Sequence, residues 1–317
     1  MTNVNRRIFV AGHRGMVGAA VCRRLADIED VTIVTASRSE LDLTDRHDVD
    51  RFFADSAIDA VIFAAAKVGG IVANNSYPVQ FMTDNINMAV NAISSAHEYE
   101  VSRFLFLGST CVYPRDCAQP IREEALLTGP LEPTNEAYAI AKIAGVKLCQ
   151  YLRRQYGANY SSAMPTNLYG PGDNYHPEHS HVLPGLIGRF YDAAKRGDES
   201  VTIWGTGTPR REFLHVDDLA DALVHLLDLK DAPDWVNVGT GRDLSIIELA
   251  GLVAEVVGFE GKILNDPARP DGTPVKCCDV SRLHATGWQA KIELSDGLRQ
   301  TFQAFLEESN RGELRAV

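Results

Sequence analysis

The sequence has no C-x-x-C pair among its six cysteines, Cys22, Cys111, Cys117, Cys149, Cys277 and Cys278. Thiols scattered in this way suggest neither a zinc knuckle nor a disulfide framework, and most are expected to be buried or inert. No stretch approaches the roughly 20 apolar residues of a membrane span. The start, Met1 to Arg7, is too polar for a secretory signal, so a cytoplasmic protein that does not engage a membrane is expected. Positive charge is also scarce. A formal net charge of −11 argues against nonspecific nucleic-acid binding, and an anionic small substrate would need a local cluster of arginines. No repeat, low-complexity tract or flexible linker interrupts the 317 residues, and 45% apolar content suffices for one large or two modest domains.

What is present begins with Ile8-Phe9-Val10-Ala11-Gly12-His13-Arg14-Gly15-Met16-Val17-Gly18. Ile8 to Val10 reads as a strand, and Met16, Val17, Ala20, Val21 and Leu25 recur with helical spacing. A diphosphate can sit on backbone N–H groups only where no side chain blocks it. Gly12 is expected to make the turn, Gly15 to admit the diphosphate, and Gly18 to let the helix pack closely on the strand. The spacing is G-x-x-G-x-x-G. An ordinary strand-to-helix turn is the alternative, but its position between a strand and a helix favours dinucleotide binding. The second strand, Val31 to Thr35, ends at Ser37-Arg38-Ser39, with no carboxylate before Glu40. An arginine there suits a 2′-phosphate, so NADP is favoured over NAD, with Arg14 as a second cation.

Strand and helix keep alternating. Asp45 to Ala54 reads as a helix, Ala60 to Ala66 as a buried parallel strand, Pro78 to His97 as a helix, Phe104 to Leu107 as a strand and Asn135 to Tyr156 as a long helix. Lys67 to Ile71 is a glycine-bearing loop at a strand's carboxyl end. Prolines and glycines then crowd Pro165 to Gly185. Leu186 to Lys195 is expected to be helical and Val201 to Trp204 a strand. Phe213 to Leu229 reads as a strand merging into a helix capped by Asp217 or Asp218, and Val236 to Gly239 as another strand. Ser245 and Glu248 form a capping box for a helix that Gly258 closes, and the final helix runs from about Ser295 to Glu307. The fold class is α/β, a Rossmann-type doubly wound parallel sheet with a smaller α/β substrate-binding domain. Residues 1–167 form the first unit, about 212–240 return to it, and 168–317 form mainly the second.

Two further motifs carry chemistry. Gly108-Ser109-Thr110-Cys111 follows a strand, and Tyr138-Ala139-Ile140-Ala141-Lys142 places a phenol and an ammonium on one helix face. An ammonium beside a phenol is expected to lower its pKa from about 10 toward neutrality, so that it can exchange a proton with a sugar oxygen. Ser109 can hydrogen-bond the same oxygen. With the glycine turn, these residues resemble the extended short-chain dehydrogenase/reductase superfamily over nearly the whole chain. Within it, the runs Lys67 to Asn75, Glu132 to Asn135, Met164 to Pro171 and Arg211 to Asp218 resemble the GDP-L-fucose synthase family.

That resemblance implies NADPH as cofactor and GDP-4-keto-6-deoxy-D-mannose as substrate, epimerised at carbons 3 and 5 and reduced at carbon 4. It implies Ser109, Cys111, Tyr138, Lys142 and His181 as catalytic residues, with Cys111 the base and His181 the acid. Gly12, His13, Arg14, Gly15, Met16, Val17, Gly18 and Arg38 would take one part of the cofactor. Leu107, Gly108, Ser109, Thr110 and Lys142 would take another, and Pro165, Thr166, Asn167, Leu168 and His181 the nicotinamide side. Arg189, Trp204, Arg211 and Asp271 would hold the GDP-sugar, although a structural salt bridge is an alternative for Arg189. Cys111 could instead be a small core residue, and Arg38 a solvated one. His176-Pro177-Glu178-His179 superficially resembles a metal site, but its spacing fits no helical ligand pair, and His176 and His179 are read as loop surface. A homodimer through the helices at Pro78 to His97 and Asn135 to Tyr156 is implied too. Two other functions fit the same scaffold: a nucleotide-sugar 4-epimerase that retains NAD, and a non-catalytic NADP sensor.

Overall fold

A computed structural model describes residues 5–177, 179–269 and 271–316. Glu178 of the histidine run, Met1 to Val4 of the polar start and the side chains of Ile71 and Val72 lie outside the described residues. The first half runs β1 (Arg6–Ala11), α1 (Met16–Ala26), β2 (Val31–Val34), α2 (Arg46–Ser56), β3 (Ala60–Phe63), α3 (Ile71–Ser76), α4 (Pro78–Glu98), β4 (Arg103–Leu107), α5 (Glu136–Tyr156) and β5 (Asn159–Pro165). The second runs β6 (Asn167–Tyr169), α6 (Val182–Arg196), β7 (Ser200–Trp204), β8 (Arg210–His215), α7 (Val216–Asp228), β9 (Trp235–Val238), β10 (Asp243–Ser245), α8 (Ile246–Val257), β11 (Lys262–Asp266), β12 (Val275–Lys276), α9 (Ser281–His284) and α10 (Leu294–Arg311).

Six parallel strands form the main sheet in the order β2-β1-β3-β4-β5-β9. Alternate residues of each strand supply opposite faces, as the two-residue period requires. Phe9, Val61, Phe63, Phe104 and Phe106 enter one core with α2, α4 and α5. Ile8, Val10, Ala60, Ile62 and Leu105 enter the other with α1 and α7. A third core, built on Phe190, Phe213, Leu249 and Phe305, belongs to the smaller lobe. There β8 pairs with β6, β10 and β12, and β7 with β11. The strand order reverses between β1 and β3, so the turns after these strands open a crevice at their carboxyl ends, the place where such sheets bind ligands.

Several boundaries differ from the sequence reading. Of the apolar run 60–66 only Ala60 to Phe63 form the strand, with one further backbone bond from Ala64 to Ala11. Helix α6 starts four residues earlier than expected because Pro184 falls in its first turn, where a missing N–H costs nothing. The capping box at Ser245 and Glu248 is formed as read. The cap of α7, however, is His215, whose Nδ1 accepts the Asp217 N–H at 3.3 Å. Asp218 is buried instead, and its Oδ2 accepts the N–H groups of Lys291 and Ile292 at 2.9 and 2.8 Å. Among the described residues no helix is long and apolar enough to cross a membrane.

Candidate active site and dinucleotide cradle

The glycine turn divides into two jobs. Gly12 has φ +83°, and a Cβ on it would come within 2.9 Å of the Ala65 backbone. A Cβ on Gly18 would lie 2.2 Å from the Gly12 carbonyl, so this glycine lets α1 close on the turn itself rather than on the strand. The fold therefore requires both. Gly15 is different. It caps α1 with φ −82°, and an added Cβ would meet only the Gly12 oxygen at 3.4 Å and Arg315 Nη1 at 3.9 Å. No packing demands a glycine there, and the first turn of α1 carries neither an acidic residue nor a side-chain cap. Open N–H groups, a positive helix end and a cradle that a side chain would occupy suit a dinucleotide diphosphate.

In the loop after β2 the exposed Glu40 carboxylate accepts the Ser37 N–H at 2.8 Å and the Ser37 hydroxyl at 2.6 Å. Those bonds hold its pKa below the ordinary carboxylate range. Arg38 is exposed beside them. A cation thus faces outward where a ribose-binding acid would otherwise stand.

After β4, Thr110–Val112 form a single 3-10 turn, and Ser109 Oγ accepts the Cys111 N–H at 3.2 Å. The Ser109 hydroxyl keeps its proton and a second lone pair, and it is hydrogen-bonded to the Tyr138 phenol. Cys111 is half-buried, and its sulfur is no mere core filler. The Asn135 amide donates to Sγ at 3.4 Å and the Lys276 ammonium lies 3.7 Å away. Asn135 Oδ1 is buried without a partner, an acceptor left open beside the cysteine. Lys276 is a functional candidate that the sequence reading missed. It sits in a two-residue strand with no motif, and only the pairing of β12 with β8 carries it to the cysteine.

Tyr138 and Lys142 share a face of α5 as expected, but their electrostatics run the other way. Burial pushes the Tyr138 phenol up, the nearby Cys111 adds to this, and the Ser109 hydrogen bond opposes it. Burial lowers Lys142 to about 7. Its Nζ donates to the Leu107 carbonyl at 2.7 Å and stands 5.8 Å from the Tyr138 ring centre. An ammonium that is itself desolvated and tied to a carbonyl does not offset the phenol's lost hydration.

His181 caps α6. The residue is exposed, yet the protein packed around it lowers its pKa below the ordinary imidazole range by desolvation. Among the described residues no hydrogen bond joins His181 to Cys111, Ser109 or Tyr138. His176 and His179 are half-buried rather than loop surface: their rings stack with centres 4.4 Å apart, and His176 Nδ1 accepts the His179 N–H at 3.1 Å.

Past β5, the Pro165 to Leu168 stretch crosses into the smaller lobe. Thr166 N–H donates to Val238 at 3.0 Å, and the Asn167 amide donates to the Glu212 carbonyl at 2.8 Å. The four expected substrate residues gather on the smaller lobe. Arg189 donates to the carbonyls of Gly185 and Thr202 at 3.1 and 3.3 Å, and among the described residues no salt bridge engages it. Trp204 is half exposed, with the Arg269 guanidinium 4.9 Å over its ring. Arg211 donates to Thr273 O at 2.6 Å and senses the Asp271 charge, while Asp271 accepts both the N–H and the hydroxyl of Thr206. Burial lowers both arginine pKa values, and for Arg211 the Asp271 charge opposes the shift in part.

A parallel sheet that reverses at a glycine cradle, with a serine after β4 and a phenol and an ammonium on α5, is the arrangement of a nicotinamide-dependent enzyme. The chain belongs to the NAD dependent epimerase/dehydratase family, whose sequence profile matches residues 8–239. It is 52% identical over 315 residues to GDP-L-fucose synthase of Escherichia coli (strain K12), covering 96% of this chain and 98% of that one. It is 55% identical over 307 residues to GDP-L-fucose synthase 1 of Arabidopsis thaliana, covering 97% and 95%. A solved GDP-L-fucose synthetase from Naegleria fowleri bound to NADP superposes with a TM-score of 0.88 at 27% identity, covering 98% and 97%.

Proposed function

We propose that this protein converts GDP-4-keto-6-deoxy-D-mannose to GDP-L-fucose, inverting carbons 3 and 5 and reducing carbon 4. The observation that carries the reading is the sulfur of Cys111, held by two donors beside the Ser109–Tyr138 pair. Both reacting carbons flank the ketone, so one polarised carbonyl acidifies both C–H bonds. The Ser109 hydroxyl and the Tyr138 phenol donate to that oxygen and stabilise the enolate. Cys111 takes the proton from one face of the ring, and His181 returns one from the other. Desolvation makes a charged His181 imidazole a willing donor. NADPH, when bound, supplies the hydride for carbon 4. Tyr138 then delivers its proton to the oxygen, while Lys142 holds the ribose. Arg189 and Arg211 suit the diphosphate of the nucleotide sugar and Trp204 an apolar wall. NADPH rather than NADH is supported by exposed Arg38 beside an acid already bonded to Ser37.

Residues 1–167, joined by about 212–240, serve as the cofactor domain in this reading, and 168–317 mainly as the substrate domain. The sheet of β1 to β5 with β9 supports that division. A cytoplasmic homodimer is part of the reading, supported by exposed Val79, Val90, Ile140 and Tyr151 on α4 and α5.

Incubating the protein with the keto-sugar and NADPH should give GDP-L-fucose, with a stoichiometric loss of absorbance at about 340 nm, the reduced-nicotinamide signal. Turnover without that loss would instead indicate a 4-epimerase that regenerates bound NAD. No turnover would leave the scaffold as a sensor.

A further inference from the structure

Helix α10 ends on Gly312, whose φ of +68° turns the chain back toward the main sheet. Two contacts hold the stretch that follows, and a third holds the loop beneath it to α10. Leu314 packs on the core of the smaller lobe. The Tyr175 N–H donates to the Arg315 carbonyl at 2.8 Å. Gly172, in the same loop as Tyr175, donates its N–H to Glu308 of α10 at 2.9 Å. That loop also touches the glycine turn, since a Cβ on Gly172 would lie 3.8 Å from Met16 Cα. The backbone of residue 315 is therefore fixed at the rim of the dinucleotide cradle before any ligand arrives.

Its side chain reaches into the cradle. Arg315 Nη1 lies 3.9 Å from the point that a Gly15 Cβ would occupy, the same space whose emptiness the packing does not explain. Asp173, buried below it, gives Oδ1 to the Asn174 N–H at 2.7 Å and feels the Arg315 charge. Asp173 Oδ2 stays without a hydrogen-bond partner, so among the described residues no close ion pair joins it to the guanidinium. A half-buried, preorganised guanidinium at the open N-terminus of a helix, in a chain of net charge −11, is placed for a bidentate contact with an anion. From this geometry we propose that Arg315 binds the cofactor's diphosphate, so that a segment anchored on the smaller lobe closes over the dinucleotide. The proposal rests on the reading that the glycine turn holds that diphosphate.

Equilibrium titration of NADPH fluorescence, without substrate, tests it. Arg315→Ala should weaken NADPH binding about tenfold, the size of one lost charge-assisted hydrogen bond. Arg315→Lys should recover part of the loss. Adenosine 2′-monophosphate, which lacks the diphosphate, should bind Arg315→Ala and wild type alike, and the NADPH affinity of the variant should depend less steeply on salt. Equal NADPH affinity in Arg315→Ala and wild type would overturn the proposal. So would an equal loss for both ligands, which would mean that Arg315 acts through the fold. Gly15→Val separates the premise: if NADPH still binds that variant, the glycine-turn reading fails, and the Arg315 contact fails with it.

Discussion

The ammonium of Lys276 stands 3.7 Å from the sulfur of Cys111, and the two come from different lobes. Cys111 follows β4 of the main sheet, whereas Lys276 ends β12, which is paired to β8 of the smaller one. In the proposed mechanism this charge-assisted contact between the lobes would tie Cys111, as base, to the seating of the smaller lobe. Replacing Lys276 by Met should slow solvent deuterium uptake at carbons 3 and 5 about tenfold, the rate equivalent of one such hydrogen bond. NADPH affinity should not change, and Lys276→Arg should restore part of the rate. Unaltered exchange in Lys276→Met would limit the lysine to packing.

Cys111→Ser keeps the shape of the side chain and replaces a thiol with a far weaker acid. Deuterium uptake at carbons 3 and 5 should vanish, while some reduction of the unepimerised ketone by NADPH persists through Ser109, Tyr138 and Lys142. Mass spectrometry of the recovered sugar in deuterated water reads this directly. Undiminished uptake would remove Cys111 from the proton transfers.

Gly15 and Gly18 should separate stability from binding. Gly18→Ala drives a methyl into the Gly12 carbonyl, 2.2 Å away, and overpacking of this kind costs about 1–3 kcal/mol. Gly15→Ala meets only ordinary contacts and should unfold in urea much as wild type does, yet bind NADPH more weakly. Equal urea midpoints for both variants would contradict the distinction.

Lys142 makes the stability of the ligand-free protein depend on pH. Its folded pKa of about 7 lies below the ordinary lysine value of 10.5, so the unfolded chain binds more protons between these limits. Stability relative to Lys142→Met should therefore rise as pH increases from about 7 to about 10, and be flat below that window. Thermal unfolding of both proteins across the range checks the sign. A relative stability that falls with pH would mean that the ammonium is paired rather than merely desolvated.

The strands with strong apolar runs, β1, β3 and β4, were legible because burial on both faces leaves no polar positions. Central β5 was not. Its Asn-Tyr-Ser-Ser-Ala-Met-Pro is polar and small, and Ser161 and Ser162 are buried only because neighbouring strands flank them. The short strands β6, β10 and β12 carry too few residues to show a period. Asp217 and Asp218 looked like the cap of α7, yet the ring of His215 takes that place and Asp218 serves the distant Lys291 and Ile292.

Local order along the chain was enough to fix the alternation of strands and helices, the glycine turn and the Tyr138–Lys142 face, because each depends on residues within one or two turns of each other. Tertiary structure alone decided that Lys276 and Asn135 meet Cys111, that Arg315 reaches Gly15, and that burial rather than the neighbouring ammonium governs the Tyr138 phenol. Those outcomes depend on contacts between segments far apart in sequence and on the loss of water around them, and neither quantity is carried by spacing along the chain.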